Sequence, residues 1–159
     1  MENYSFRYAE EKDIPLILDF ILRLARYEKL ENQVIATEEL LLEELFVKKH
    51  AQVIFVTENE RELGFALFFH NFSTFLGRSG IYLEDLYVLP EHRGKGLGKA
   101  LLAELSRIAL RRGCGRLEWS CLDWNKSSID FYLSMGAKPM DDWTVYRLAG
   151  DTLEKMAQG

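Results

Sequence analysis

The amino-acid sequence predicts an α/β (α+β) fold, in which helices cover both faces of a mixed and mostly antiparallel central sheet. Two runs of β-forming residues, 52–58 and 63–70, flank the polar turn 59–62 and predict a hairpin. Apolar residues recur at helical spacing over residues 14–25. A third strand, residues 80–89, leads through a glycine-rich loop into a long amphipathic helix, so strands and helices share one core.

The remaining elements follow from caps, breakers and periodicity. Asp13 and Thr37 are placed to cap the first two helices, with Pro15 in the first turn of one of them. The other predicted elements are a strand over 5–9, the loop 93–98, a helix that ends at Gly113, a strand over 116–121, a helix over 126–135 between Asn125 and Gly136, a strand over 144–148 and a short C-terminal helix. The predicted order is βααβββαβαβ. Since no repeat or linker interrupts it, we expect a single domain over residues 1–159.

Composition excludes several classes of protein. The 159 residues are 48% apolar and 28% charged, an ordinary globular balance. A net charge of −5 without clustered Lys and Arg argues against a nucleic-acid partner. No apolar stretch approaches the ~18 residues of a membrane span, and residues 1–4 do not begin a signal peptide. With only two cysteines, Cys114 and Cys121, we expect a cytoplasmic protein without a membrane partner.

Acidic residues concentrate in residues 28–44, where six glutamates are opposed by Lys29 alone. Most of them are interpreted as a solvated helix face. The alternative interpretation is an acidic lip that attracts a cationic substrate.

The glycine-rich loop carries the most chemical information. Residues 84–99 end a strand, continue through three alternating glycines and begin a helix. Glycines allow close approach of a ligand to the backbone, and the amides at a helix start favour an anion. Arg93, Lys95 and Lys99 can add positive charge, so the loop suits a pyrophosphate. A simple connecting turn is the alternative. The spacing matches neither a nucleotide P-loop nor a dinucleotide-binding fingerprint.

Two motifs together resemble one enzyme family. The run Arg93-x-x-Gly96-x-Gly98 is similar to the acyl-CoA pyrophosphate loop of the GNAT N-acetyltransferases, and residues 123–137 resemble that family's second motif. The resemblance implies the GNAT fold and acetyl-CoA as the co-substrate. The residues that it implies for acetyl-CoA binding are Leu86, Tyr87 and Val88 through their backbone, Arg93, Gly94, Lys95, Gly96, Leu97, Gly98, Lys99, Asn125, Lys126, Ser128 and Tyr132.

The similarity extends to one branch of the family. Residues 24–28, 82–88 and 122–125 resemble the diamine (spermidine/spermine) acetyltransferases and, more closely, the thialysine Nε-acetyltransferases. This resemblance implies a small cationic amine as substrate and a homodimer. The substrate-binding residues that it implies are Tyr27, Glu28, Glu84, Asp85 and Trp143. Ser73 and Thr74 stand where polyamine-selective members carry an aspartate, which favours a short diamine, thialysine or a lysine-like amino acid over spermine.

Two residues are candidates for proton transfer. A primary alkylamine of pKa about 10.4 is almost entirely protonated at pH 7, so the site must remove a proton before attack and return one to sulfur. The resemblance assigns the acid to Tyr132, which could otherwise be a packing aromatic. Glu84 is expected to accept the amine proton through water. Since neighbouring strand residues face opposite ways, Glu84 and Asp85 can share the substrate only if a bulge re-aims one of them.

Other functions remain as alternatives. They are acetylation of spermidine or spermine, acetylation of a protein N-terminus or lysine, and a CoA-binding module without activity. His50, His70 and His92 form no spaced ligand cluster, so no metal is expected. Cys121 has no nearby histidine in sequence and is interpreted as a buried thiol rather than a nucleophile.

Overall fold

The computed structural model describes residues 3–159 and divides into two compact units, one ending at Ser120 and the other being Cys121–Gly159. The single domain expected over 1–159 stays a prediction. The strands, all in the first unit, are β1 (Ser5–Tyr8), β2 (Gln52–Glu58), β3 (Arg61–Ser73), β4 (Arg78–Val88) and β5 (Leu117–Trp119). The helices of that unit are α1 (Ile14–Tyr27), α2 (Glu38–Leu41), which continues as a π-helix over Leu42–Val47, and α3 (Leu97–Arg111).

The sheet is mixed and mostly antiparallel, as predicted. Its order is β1-β2-β3-β4-β5, and only the β4–β5 pair is parallel. The β2–β3 hairpin turns at Asn59 and Glu60, whose φ values of 51° and 62° are those of a type I′ turn. The turn is therefore two residues shorter on its C-terminal side than predicted, and Arg61 already pairs with Glu58.

Helix α1 packs on one face of the sheet. The Phe20 ring centroid lies 6.2 Å from that of Phe55 and 5.3 Å from that of Phe65, on two neighbouring strands. The same ring lies 6.1 Å from Tyr87 on β4. Alternation along the strands turns this set of side chains towards α1, where they belong to one hydrophobic core cluster.

Helix α3 covers the opposite face. Its buried residues include Leu101, Leu105 and Ile108, as the apolar spacing predicts. Arg112, at its C-terminal end, places its guanidinium carbon 5.7 Å from the centroid of Phe68. By alternation along β3, Phe68 lies on the face opposite to that of Phe65, which packs against α1. The prediction of helices on both faces is therefore confirmed.

The predicted caps have different outcomes. Thr37 accepts a hydrogen bond from the Leu40 amide at 3.2 Å and caps α2. Asp13 stands at the start of α1, but its carboxylate makes no capping bond to that helix. Arg7 instead donates to both carboxylate oxygens at 2.8 Å, and the Glu10 amide donates at 2.8 Å. The guanidinium of Arg7 holds the pKa of Asp13 below its ordinary value. The capping role predicted for Asp13 was wrong because Arg7 on β1 is a stronger partner.

The second unit contains α4 (Lys126–Ser134) and α5 (Asp151–Ala157), both of them predicted. The strand predicted over residues 144–148 is wrong, since the described chain is irregular there and the sheet has five strands. A strand requires a partner for its backbone groups, and β-propensity alone does not supply one. Val145 and Tyr146 are 81% and 92% exposed, so no sheet face buries the alternating side chains.

Candidate active site at the bulge of strand β4

Two adjacent carboxylates lie at a bulge in β4. Leu67 on β3 pairs with Asp85, and the next residue, Phe68, pairs with Leu83. Glu84 is therefore the additional residue of a β-bulge, opposite a single step of β3. A bulge re-aims a side chain, which is the condition under which Glu84 and Asp85 can serve one site. Asp85 is half-buried and in phase with Tyr87, whereas Glu84 is exposed.

A third carboxylate, Glu28, belongs to the same electrostatic cluster. It follows the last residue of α1, the helix that packs on the face of Tyr87. Burial, together with the negative charges of Glu84 and Glu28, raises the pKa of Asp85 from its ordinary value to about 7. The pKa of Glu28 is also raised, mainly by burial and to a smaller extent by the negative charge of Glu84. Within residues 3–159, no basic side chain offsets these shifts for either group.

The other glutamates of the acidic segment behave differently. Glu31, Glu38, Glu39 and Glu43 are exposed, in agreement with a solvated face. Glu44 bonds to His50 at 2.8 Å and to Lys48 at 3.3 Å. Of the six, Glu28 is the one coupled to the carboxylates of β4.

The glycine-rich loop forms an open backbone surface at the start of α3. Gly94 and Gly96 have φ values of 77° and 81°, and a Cβ added to either would meet no atom within 4 Å. Gly96 is the N-cap of α3 and provides no side-chain cap. The first amides of the helix, from Leu97 onward, therefore lack an internal partner and suit an anion, helped by the helix dipole. Lys95 and Lys99 are exposed beside them.

One edge of β4 is free beside this loop. Strand β5 pairs with β4 only from Ile81 to Leu83, so within residues 3–159 the sheet provides no strand partner on that side for residues 84–88. The Leu89 amide bonds to β3, so by alternation the backbone groups of Leu86 and Val88 face the free edge while those of Tyr87 face β3. The Val88 carbonyl accepts a hydrogen bond from Arg93 Nε at 2.9 Å. The free edge can accept an extended, amide-bearing ligand as an added strand would bind.

The second unit carries the other predicted residues. Asn125 caps α4, because its side-chain oxygen accepts from the Ser128 amide at 3.4 Å. Tyr132 lies in the last full turn of that helix, half-buried, with its ring centroid 5.6 Å from that of Phe131. Lys126 is exposed at the first position, 3.9 Å from Asp130. Trp143 is 75% exposed, in the irregular segment that follows α4.

Ser73 and Thr74 lie far from the bulge along the sheet. The Ser73 hydroxyl accepts from the Leu76 amide at 3.2 Å, and its carbonyl accepts from Gly77, so Ser73 closes the β3–β4 turn. Glu84 lies six residue steps along β4 from Arg78, about 20 Å at ~3.3 Å per residue.

The two cysteines differ in their surroundings. Cys121 is half-buried, and its thiol lies 3.6 Å from the Leu122 carbonyl. Cys114 is buried with its sulfur 3.7 Å from His70 Nδ1, a pair that the sequence did not indicate. His70 Nδ1 also lies 3.1 Å from the Gly80 carbonyl, and Arg112 donates to Nε2 at 3.0 Å. The proton therefore sits on Nδ1 and points to Gly80, so His70 cannot act as a base for the thiol.

Two features of this region were not predicted from the sequence: the partners of Arg93 and the position of the β4 bulge. Sequence reasoning assigned Arg93 to the loop, whereas the side chain also turns back to Val88 and to the rings of Tyr27 and Tyr87. It could name a bulge near Glu84 and Asp85 only as a requirement, because the pairing register depends on residues of the partner strand β3. In residues 3–159, no group of three His, Cys, Asp or Glu side chains is arranged to hold a metal, and no helix has the length and apolar character of a membrane span.

Comparison with known proteins agrees with this geometry. Residues 18–137 match the Acetyltransferase (GNAT) family. The chain is 36% identical to the thialysine N-epsilon-acetyltransferase of Bos taurus over 163 aligned residues, covering 95% of each chain. It is 30% identical to the L-ornithine N5-acetyltransferase of Arabidopsis thaliana, covering 93% of this chain and 85% of that one. An integron cassette protein from the mobile metagenome of V. cholerae shares the fold with a TM-score of 0.82 and 28% identity over the whole of both chains.

The free edge of β4 and the open amides of the glycine loop fit acetyl-CoA, an acyl carrier with an amide-bearing arm and a pyrophosphate. Both features lie inside the matched residues 18–137. The chain belongs to the GNAT acetyltransferase family and is an acetyl-CoA-dependent N-acetyltransferase.

Proposed function

We propose that this enzyme acetylates the primary amine of a small cationic substrate, such as thialysine, a lysine-like or ornithine-like amino acid or a short diamine. The observation that carries the proposal is the cluster of Glu28, Glu84 and Asp85. Burial and mutual repulsion raise the pKa of Glu28 and Asp85, and no basic group in the described chain offsets them. A bound cation would lower that repulsion, so the cluster favours a positively charged ligand.

The relatives support the same class of substrate. Thialysine and L-ornithine, named for two of them, both carry a primary amine and a second charged amine on a short chain. Tyr27 would present its ring beside Glu28, and a cation binds well against an aromatic face. Trp143 is proposed as a further wall of the substrate pocket on the basis of the family resemblance.

Acetyl-CoA supplies the thioester from which the acetyl group is transferred. Its pyrophosphate would lie on the amides of residues 94–99, with Lys95 and Lys99 contributing charge. Leu86 and Val88 would offer backbone groups to the amide-bearing arm. Asn125, Lys126 and Ser128 are proposed as additional acetyl-CoA contacts on the basis of the family resemblance.

The carboxylates would also remove the amine proton. Only about a few amines in ten thousand are neutral at pH 7, so a nearby base must hold the proton that leaves. Glu84 is exposed to solvent and can accept it through water. Asp85, with its pKa raised to about 7, can accept and release protons near neutral pH and joins Glu84 as a candidate base.

Tyr132 is proposed as the acid, with its hydroxyl supplying a proton to the departing thiolate. Both substrates would bind before a direct transfer, because an amine nucleophile needs no enzyme-bound acyl group. Consistent with this, the histidine beside Cys114 is oriented away from the role of a base. We also propose a homodimer in the cytoplasm. The homodimer rests on the resemblance to the diamine acetyltransferases, and the compartment on the low cysteine count, two in 159 residues.

The test is release of free thiol from acetyl-CoA with a panel of acceptors. The panel contains thialysine, lysine, ornithine, short diamines, spermine and a lysine peptide. We expect kcat/KM for the short amines to exceed that for spermine by at least ~10-fold. Ser73 and Thr74 offer no carboxylate to the far end of a polyamine, so spermine would lack one charge-assisted hydrogen bond. Efficient acetylation of spermine would restore the polyamine alternative. Acetylation of the peptide alone would contradict the proposal.

A further inference from the structure

Arg93, the first residue of the glycine-rich loop, contacts Tyr27 on α1 and Tyr87 and Val88 on β4. Its guanidinium carbon lies 5.2 Å from the ring centroid of Tyr27 and 5.1 Å from that of Tyr87. Its Nε donates to the Val88 carbonyl at 2.9 Å. Both rings lie within the ~6 Å range in which a cation is attracted to an aromatic face.

These contacts join three separate segments. Tyr27 ends α1 and is followed by Glu28, the carboxylate at that helix end. Tyr87 lies two residues after Asp85 on the same face of β4. Arg93 begins the loop whose open amides suit a pyrophosphate. One side chain therefore connects both carboxylate-bearing segments with the loop.

The contacts depend on the shape of a guanidinium. An arginine side chain combines a planar cation, which stacks on rings, with an Nε–H that bonds in the same plane. A lysine ammonium keeps the charge but has neither the plane nor that donor. Lys95 and Lys99, both exposed, remain beside the loop as point charges that suit a phosphate.

We propose that Arg93 is a positioning residue for the amine substrate, which holds Tyr27 and the end of α1 against β4, rather than a ligand of the pyrophosphate. The inference rests on the proposed function, because the pocket that it fixes is the one assigned to the cationic amine. Its loss would let the end of α1 move and would weaken amine binding more than acetyl-CoA binding.

The experiment compares Arg93→Gln with Arg93→Lys in the full-length enzyme. KM and kcat are measured with a short diamine at saturating acetyl-CoA, and calorimetry gives the acetyl-CoA affinity without amine. We expect both variants to raise the amine KM by about 5- to 10-fold, consistent with two cation–π contacts, and to change the acetyl-CoA affinity less than about twofold. Lysine should not rescue, because charge alone is insufficient.

A pyrophosphate ligand gives the opposite pattern. Arg93→Gln would then weaken acetyl-CoA binding about tenfold, Arg93→Lys would restore it, and the amine KM would stay unchanged. That result overturns the inference. Acetyl-pantetheine, a donor without the pyrophosphate, sharpens the distinction, since the amine defect of Arg93→Gln should persist with it if Arg93 acts on the pocket.

A mutant cycle with Tyr27→Leu tests the contact itself. If Arg93 acts through Tyr27, Arg93→Gln combined with Tyr27→Leu should raise the amine KM no more than the larger single effect. Additive effects would overturn the proposed connection. If the wild type acetylates no free amine, the proposed function fails, while the acetyl-CoA affinities of the two variants still decide the role of Arg93.

Arg112→Gln is the matched control. Arg112 also places its guanidinium over a ring, that of Phe68, and donates hydrogen bonds, but at the other end of α3. We expect it to lower the melting temperature without changing the amine KM. An equal rise of the amine KM in this control would show a general effect of destabilisation and contradict the inference.

Discussion

The glycine-rich loop and the carboxylate cluster lie in one unit but are built in different ways. The loop is contiguous, from Arg93 to Gly98, and its proposed anion site consists of backbone amides exposed by two positive φ values. The cluster consists of side chains from the end of α1 and from a bulge of β4. A site made by contiguous backbone is visible in sequence, whereas a site made by distant side chains depends on register.

The largest expected effect breaks the loop. Gly96→Val should weaken acetyl-CoA affinity by more than ~100-fold, because a β-branched residue disfavours the φ of 81° and its side chain would project into the ligand's space. Calorimetry measures the affinity. Gly113→Val is the control, since Gly113 has a φ of 72° and equally open surroundings at the far end of α3. Unchanged acetyl-CoA affinity in Gly96→Val would mean that the loop only connects β4 to α3.

Tyr132→Phe should slow the chemical step and leave both the glycine-rich loop and the carboxylate cluster intact. Loss of a general acid is expected to lower kcat at least ~100-fold with little change in acetyl-CoA affinity. Steady-state kinetics and calorimetry together measure the two effects. Phe131→Leu, next to it on α4, controls for packing of the helix. Nearly normal turnover in Tyr132→Phe would remove the hydroxyl from the mechanism, and equal losses in turnover and affinity would make Tyr132 a binding residue.

Glu28→Gln tests the carboxylate cluster alone. We expect the amine KM to rise about tenfold and kcat to fall less, because a carboxylate at the far amine stabilises the bound and transition states equally. The exposed Glu31→Gln, three residues further on, is the matched control. A fall in kcat without a rise in KM would assign Glu28 to the chemistry instead.

Asp85→Asn should show the cost of burying a charge. The folded-state pKa of Asp85 is about 7, above its ordinary value of 3.8, so the folded protein binds more protons between these values and its stability falls as pH rises through them. The variant should lack this fall and gain at least about 1 kcal/mol at pH 8. Urea unfolding at pH 4 and pH 8, with Glu43→Gln as control, measures it. A loss of stability at pH 8 would indicate a cationic partner.

The sequence predicted what local patterns determine. The spacing of Leu101, Leu105 and Ile108 is sufficient to define the buried side of α3, and the glycines identify the loop. Interactions with distant segments were less visible. Asp13 binds Arg7 instead of capping α1, and the residues 144–148 have β-forming side chains without a partner strand. The bulge at Glu84 requires the pairing of Leu67 and Phe68, which no pattern within β4 reveals.

The central claim is that the carboxylate cluster recognises a second positive charge on the amine. The most direct measurement compares kcat/KM for 1,4-diaminobutane with that for butylamine, which has the same carbon chain and one amine. The account predicts a preference for the diamine of at least ~10-fold in the wild type, and a much smaller preference in Glu28→Gln. Equal efficiency for the two amines in the wild type, or an undiminished preference in Glu28→Gln, would contradict it.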